Sequence, residues 1–247
     1  MTLSQAVDKL TDFLLNLFFP LFCLGCSREG VLLCADCRAT LEISQFNYCL
    51  CNKSPLRLPP GTKSGTCGSC RTKTLAGIYS AVPYQEKFLT RKLVYTFKEK
   101  PYLKHAASVL ASIIAEHLLL AGNNLESVWE QSVIVPVPME MSAMKRRGYN
   151  HAEVLAFELA KLVQTPCITD NLVKVRKTLP QKSLSKEQRK ENLEGAFIIE
   201  NPVDIAGKKV FLIDDVYTTG STIEECAKVL KSAGVKQVWG IVFAREG

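Results

Sequence analysis

The stretch Lys208-Lys209-Val210-Phe211-Leu212-Ile213-Asp214-Asp215-Val216-Tyr217-Thr218-Thr219-Gly220-Ser221-Thr222 decides how this chain is read. Val210 to Ile213 form an unbroken apolar run, the mark of a short buried strand, and that strand is expected to end in two adjacent carboxylates. Thr218 to Thr222 make a small, hydroxyl-rich turn ahead of an apolar-periodic segment that continues through Cys226, Val229 and Leu230. Backbone N–H groups at such a helix start suit a phosphate, with the hydroxyls of Thr218, Thr219, Ser221 and Thr222 as additional donors. Ser221 and Glu224 also have capping-box spacing, so part of the turn would serve only to start a helix. Paired acids followed within a few residues by Thr-Thr-Gly-Ser-Thr are harder to explain as scaffolding.

This stretch resembles the phosphoribosyl pyrophosphate (PRPP) motif of type I phosphoribosyltransferases. The resemblance implies that Thr218, Thr219, Gly220, Ser221 and Thr222 hold the ribose 5-phosphate. It places Asp214 and Asp215 beside the ribose hydroxyls, where they would favour positive charge near C1 as pyrophosphate departs. Mg2+ would accompany PRPP, bridging ribose and pyrophosphate oxygens. Nothing in the motif identifies the acceptor.

Working outward, strand and helix patterns alternate from Ser132 onward, which argues for a parallel sheet covered on both faces. Leu75 to Val82, Ser132 to Val137, Cys167 to Val175, Ala196 to Glu200 and Val235 to Ala244 read as the other strands. Lys87 to Lys98, Tyr102 to Ala121, Asn150 to Val163 and Ser221 to Ala233 read as helices, the second with apolar residues at helical spacing. Met139 to Gly148 is expected to be a basic loop at a strand's carboxyl end, where Arg146 and Arg147 would meet pyrophosphate through their planar forks. The polar segment from Arg176 to Glu194 lacks a core stripe and reads as a lid, with Arg176, Lys177, Gln181, Lys182 and Arg189 closing over a phosphorylated ligand. A ligand should sit beyond the carboxyl ends of the strands, where both loops emerge. His151 reads as a helix-start residue rather than as a general base.

Eight of the ten cysteines fall between Cys23 and Cys70. Cys23-x2-Cys26 and Cys34-x2-Cys37 are two knuckles whose thiolates suit tetrahedral zinc. Cys49-x-Cys51 and Cys67-x2-Cys70 form a second, less regular set. One or two structural zinc ions are expected, with free cysteines and a cross-braced pairing as the alternatives. No positively charged leader with a small-residue cleavage site precedes them, so metal-bound thiolates in a reducing cytoplasm fit better than disulfides.

The chain of 247 residues, 47% apolar and 22% charged, holds one sizeable α/β domain and a small appendage, with a net charge of +7 that favours anionic partners without choosing among them. Between Arg38 and Lys104, twelve Lys and Arg residues face three Glu, interspersed with Phe46, Tyr48, Tyr79, Tyr84, Tyr95, Phe97 and Tyr102. That composition makes a candidate surface for single-stranded DNA, or a solvated basic face with aromatics in the core. The expected organisation is an amphipathic helix in 1–20, a cysteine module in 21–73 and the main domain in 74–247. The greasy N-terminal run is too short for a transmembrane segment.

Taken in order, the chain resembles the ComF family, including its ComFC members. The matching features are FFPLFCLGC at 18–26, the cysteine module, VPVP at 135–138, RRGYNHAEVLA at 146–156, RKTLPQKSLSKEQRKENLEGAF at 176–197 and LIDDVYTTGST at 212–222. Cys49-Leu50-Cys51 and Lys98-Glu99-Lys100 depart from the family pattern. The resemblance implies a cytoplasmic α/β protein with a type I phosphoribosyltransferase-like parallel sheet flanked by helices and an N-terminal zinc-ribbon-like module. It also implies an association with incoming single-stranded DNA, while a DNA-processing partner such as a helicase belongs to the noncatalytic alternative. A transferase acting on PRPP and a noncatalytic PRPP-responsive DNA-binding module both fit, and so does an oligomer.

Overall fold

A computed structural model describes residues 20–51, 57–58, 65–84, 88–98, 103–121, 129–178, 188 and 192–246. The expected N-terminal helix, Gln181, Lys182, Arg189 and most of the expected lid lie outside these residues. The chain divides into two compact units, Met1–Glu42 and Ile43–Gly247. That division differs from a boundary near residue 73. Cys51, Cys67 and Cys70 pack into the core of the larger unit with Leu50 and Leu75, so only the first cysteine set lies in the smaller one.

In the smaller unit, Ser27 turns through the left-handed region (φ 61°), and Phe22 pairs with Glu29 across the turn. The short helix α1 (Ala35–Arg38) starts at Cys34, whose sulfur accepts from the Cys37 N–H. An exposed Arg28–Asp36 ion pair at 3.1 Å links the two knuckles.

The larger unit runs through β1 (Gly77–Pro83), α2 (Leu89–Phe97), α3 (Leu103–Leu120), β2 (Ser132–Pro136), α4 (Met141–Arg147), α5 (His151–Val163), β3 (Leu172–Lys174), β4 (Phe197–Ile199), β5 (Lys209–Tyr217), α6 (Ser221–Ser232) and β6 (Gln237–Arg245). Four strands form a parallel sheet in the order β1-β6-β5-β2, while β3 and β4 pair antiparallel as a separate ribbon. The expected strand from Cys167 is thus divided. Cys167 makes one parallel bridge to Ile134 at the sheet edge, and the chain enters the ribbon only at Leu172.

Both faces of the sheet are covered, which is why β2, β5 and β6 carry almost unbroken apolar sequence. On one face Val210, Leu212, Val238 and Val242 pack with Ile223, Cys226, Ala227 and Leu230 of α6. On the other, Phe211 meets Trp129 and Tyr79, and α3 and α5 lie over the strands. Trp239 stacks on Tyr79 at 5.1 Å and fills the space left by Gly65 and Gly77, where a Cβ would collide with its ring. His117 is buried in α3, its Nδ1 2.6 Å from the Ser44 carbonyl, and has no place near the strand ends. Among the described residues no helix is long and apolar enough to cross a membrane.

Candidate functional site

β5 does not stop at the carboxylates. It continues through Asp214 and Asp215 to Tyr217, with Asp214 opposite Val242 and Val216 opposite Ala244 of β6. Side chains alternate along a strand, so the two acids leave it on opposite faces. Asp214 follows Val210 and Leu212 toward α6 and lines a pocket with Tyr217, Thr218, Thr219, Gly220, Ser221 and Thr222. Asp215 follows Phe211 and Ile213 toward α5 and is not among the described residues lining that pocket. The expectation that both acids face one ligand in the same way needs this correction. At the strand end their carboxylates nevertheless come within 4.8 Å of each other and of His151.

The surroundings separate the pair further. Burial by itself would raise the Asp215 carboxyl. The neighbouring His151 ring and the charge of Lys98 outweigh it and hold the group below the ordinary carboxylate range. Asp214 is pushed well above that range by burial, reinforced by the Asp215 charge, although its carboxylate accepts the Asp215 N–H at 2.9 Å.

His151 is brought here by local sequence. Asn150 caps α5 by accepting the Ala152 N–H at 3.1 Å and donates to the Val137 carbonyl at 3.1 Å, while the Val137 N–H donates to Ile213 at 2.9 Å. Those bonds tie the start of α5 to β5 just ahead of the acids and put His151 Nε2 3.6 Å from Asp215 Oδ1. Its ring lies edge-on to the buried Phe97, with centroids 5.9 Å apart. His151 is therefore both a helix-start residue and part of the carboxylate cluster. Lys98, which sequence reading did not assign to the site, caps α2 and pairs with Asp215. Its carbonyl accepts the Tyr149 hydroxyl at 3.0 Å. The only signal for it was charge in a segment more than a hundred residues away.

The loop is built by Gly220, in the left-handed region at φ 74°, which caps α6 without a side-chain bond. Thr219 Oγ1 and Ser221 Oγ lie 3.0 Å apart. Ser221 is thus the first helical residue and no capping box forms. Glu224 instead accepts the backbone N–H groups of Thr74 and Leu75 at 2.6 and 3.3 Å, fastening the segment before β1 to α6. The expected basic loop is helical. Arg146 and Arg147 fall in the last turn of α4, Arg146 exposed and Arg147 half-buried, and neither is among the described residues lining the Asp214 pocket. Arg176 donates to the carbonyls of Asn192 at 3.0 Å and Glu194 at 2.6 Å, so it braces the base of the expected lid.

Both cysteine sets are clustered and can hold a metal. Cys23, Cys26, Cys34 and Cys37 bring their sulfurs within 4.8 Å of one another, as do Cys49, Cys51 and Cys67. Cys70 lies 3.4 Å from Cys51, and Cys26 lies 3.7 Å from Cys34. Zinc with four thiolates at ~2.3 Å requires sulfur separations of roughly 3.8 Å, so both groups have a compatible size. Burial raises the Cys23 thiol, but N–H groups of Cys34, Cys26 and Gly25 draw it down to about 6. Cys67 is drawn down to about 6 mainly by its bond with Cys51.

The second cluster is also joined to the loop. Arg245 donates to the carbonyls of Cys49, at 2.7 Å, and Cys51; Tyr217, the residue before the loop, donates to Leu50 at 3.3 Å, and Lys73 to Leu50 at 2.9 Å. The Arg245 guanidinium lies 5.1 Å from the Tyr217 ring centroid. Two zinc ions per chain are expected in elemental analysis of the purified protein. Cys26→Ser should remove one of them without affecting the other, and Cys51→Ser should lower both zinc content and melting temperature. A single zinc in the unaltered chain would contradict this assignment. The expected nucleic-acid aromatics are dispersed: Tyr79 and Phe97 are buried, Arg57 covers Phe46 at 3.0 Å, and Tyr95 is the one largely exposed among those described.

A parallel sheet whose inner strand carries paired carboxylates to a hydroxyl-rich loop at a helix start defines a phosphoribosyltransferase-type domain. Residues 106–247 match the family described as "Phosphoribosyl transferase domain". More particularly, the chain belongs to the ComF family. It is 30% identical over 224 residues to "DNA utilization protein YhgH" of Salmonella typhi, a match covering 84% of this chain and 95% of that protein. It is 29% identical over 218 residues to "Competence protein ComFC" of Streptococcus pneumoniae, covering 85% and 86%. "Competence protein F" of Haemophilus influenzae is 38% identical over 114 residues, 45% of this chain and 50% of that protein, so this match spans half the relative's length.

Proposed function

We propose that this chain binds PRPP at the carboxyl end of β5 and transfers its phosphoribosyl group to an acceptor in the handling of single-stranded DNA. The observation that carries the reading is Asp214, whose carboxylate shares one pocket with the whole loop from Tyr217 to Thr222. A phosphate would rest on the N–H groups and hydroxyls at the start of α6, and the ribose hydroxyls would meet the carboxylate. Asp214 supplies hard oxygen ligands that fit Mg2+, which when bound would neutralise pyrophosphate charge. Arg146, Arg147, Gln181 and Arg189 belong to the same reading as pyrophosphate and lid residues. The DNA role rests on the relatives called competence and DNA utilization proteins.

Calorimetric titration of the zinc-loaded protein with PRPP and Mg2+ tests the proposal, followed by a search for acceptors. Saturable binding with pyrophosphate release is the expected result; heats no larger than those of dilution would overturn it. A second reading is favoured by the bonds from Tyr217 and Arg245 to the second cysteine cluster. In this reading, PRPP acts as a signal that alters the DNA or helicase affinity of the chain without turnover. Binding without pyrophosphate release, accompanied by a change in single-stranded DNA affinity, would select it.

A further inference from the structure

The acids at the end of β5 have different neighbours. Asp214 opens on the loop pocket, whereas Asp215 is enclosed by Lys98 from the end of α2 and His151 from the start of α5. The Lys98 side chain is 32% exposed and that of Asp215 only 7%. A carboxylate so enclosed has little surface left for sugar hydroxyls. An ammonium group, in contrast, has three N–H donors and retains free ones after pairing with one carboxylate. The Lys98 backbone is fixed independently by the end of α2 and by the Tyr149 hydroxyl, so the ammonium is held from both ends of its residue.

We propose that the two acids divide the work: Asp214 presents its carboxylate to the ribose hydroxyls, and Asp215 is a positioning residue that, with His151, holds the Lys98 ammonium to receive the pyrophosphate. This rests on the ribose-phosphate reading above. PRPP carries its 5-phosphate and its pyrophosphate at opposite ends of the ribose. The loop lies on the Asp214 side of β5 and Lys98 on the Asp215 side, so the strand end offers an anion site in each direction. Lys98 therefore discriminates PRPP from ribose 5-phosphate, which lacks the second anionic group.

The test compares calorimetric affinities for ribose 5-phosphate and for PRPP, each with Mg2+, in the full zinc-loaded chain. Lys98→Met and Asp215→Asn should each weaken PRPP about 10–100-fold, the range for a hydrogen bond to a charged group, with ribose 5-phosphate changed by no more than about twofold. The double variant should be no weaker than either single one, because both remove the same ammonium from its place. Lys98→Arg should retain most PRPP affinity, and Asp214→Asn should weaken both ligands. If Asp215→Asn does not fold, as judged by its melting transition, the Lys98→Met and Lys98→Arg pair decides through the same ligand comparison. Equal losses for both ligands, or additive losses in the double variant, would overturn the division of roles. Ribose 5-phosphate binding without any gain for PRPP would overturn the Lys98 assignment while leaving the ribose-phosphate site standing. Binding of neither ligand would remove both.

Discussion

Asp214→Asn is expected to reduce affinity for Mg2+-PRPP at least 10–100-fold while making the ligand-free protein more stable near neutral pH. The loss follows from removing a charged acceptor for the ribose hydroxyls, each such bond contributing about 1.5–3 kcal/mol. The gain follows from the raised carboxyl, whose causes are burial first and the neighbouring Asp215 charge second. The folded protein holds this proton more tightly than the unfolded chain. Stability is therefore lost as pH rises from the ordinary carboxylate range, about 4, through the folded-state value, and no cost remains well below 4. Asparagine removes that cost. Allowing for partial solvent contact, about 1 kcal/mol is expected, or ~2–4 °C in melting temperature at pH 8, fading toward pH 4. Wild-type affinity for Mg2+-PRPP should also rise with pH, because Asp214 must release its proton to serve as an acceptor. Thermal melts at pH 4 and pH 8 with parallel titrations check both parts. A variant that melts below wild type at pH 8, or binds as wild type does, would contradict the assignment.

Gly220→Ala has the second large effect. At φ 74° any L-residue is strained, and an alanine Cβ would also lie 2.6 Å from Tyr217 Cζ. Tyr217 cannot move aside cheaply, since it is buried, its hydroxyl donates to Leu50 at 3.3 Å, and Arg245 lies against its ring. The loop must shift instead, taking with it the N–H groups at the start of α6. The expected outcome is a loss of about 1–3 kcal/mol in stability together with most of the affinity for ribose 5-phosphate. Gly234→Ala is the control. Its φ is 85°, but the nearest atom to the added Cβ, on Ala206, is 3.8 Å away, so it should lose stability from backbone strain alone and keep its affinity. Equal losses of affinity in both variants would show that general destabilisation, and not loop geometry, is responsible.

Much of this molecule is legible in its sequence because the signals are local. Continuous apolar runs mark β2 and β5, helical spacing marks α3 and α6, the Thr-Thr-Gly-Ser-Thr turn marks a helix start, and paired cysteines mark clusters. Where local signals were mixed, the reading differed from the structure. Met139 to Gly148 has the charge of a loop but closes one helical stretch, with Gly148 at φ 81° ending it. Ser221 and Glu224 have the spacing of a capping box, yet Glu224 finds better-placed donors at Thr74 and Leu75, distant in sequence.

The sequence by itself determined that this chain has a parallel α/β domain, a hydroxyl-rich loop after paired acids and two sets of clustered thiols, because each depends on neighbours within a few residues. Only the tertiary structure decided that Asp214 faces the loop while Asp215 is claimed by Lys98 and His151. It also placed the second cysteine set within the larger unit, with the carbonyls of Cys49 and Cys51 bonded to Arg245. Strand alternation is a local rule, but it applies to the acids only if β5 extends past them, and that extension is stabilised by its pairing with β6. The partners that then distinguish two identical carboxylates come from helices remote in the chain. Their electrostatic effect depends on distance in space, which local sequence does not encode.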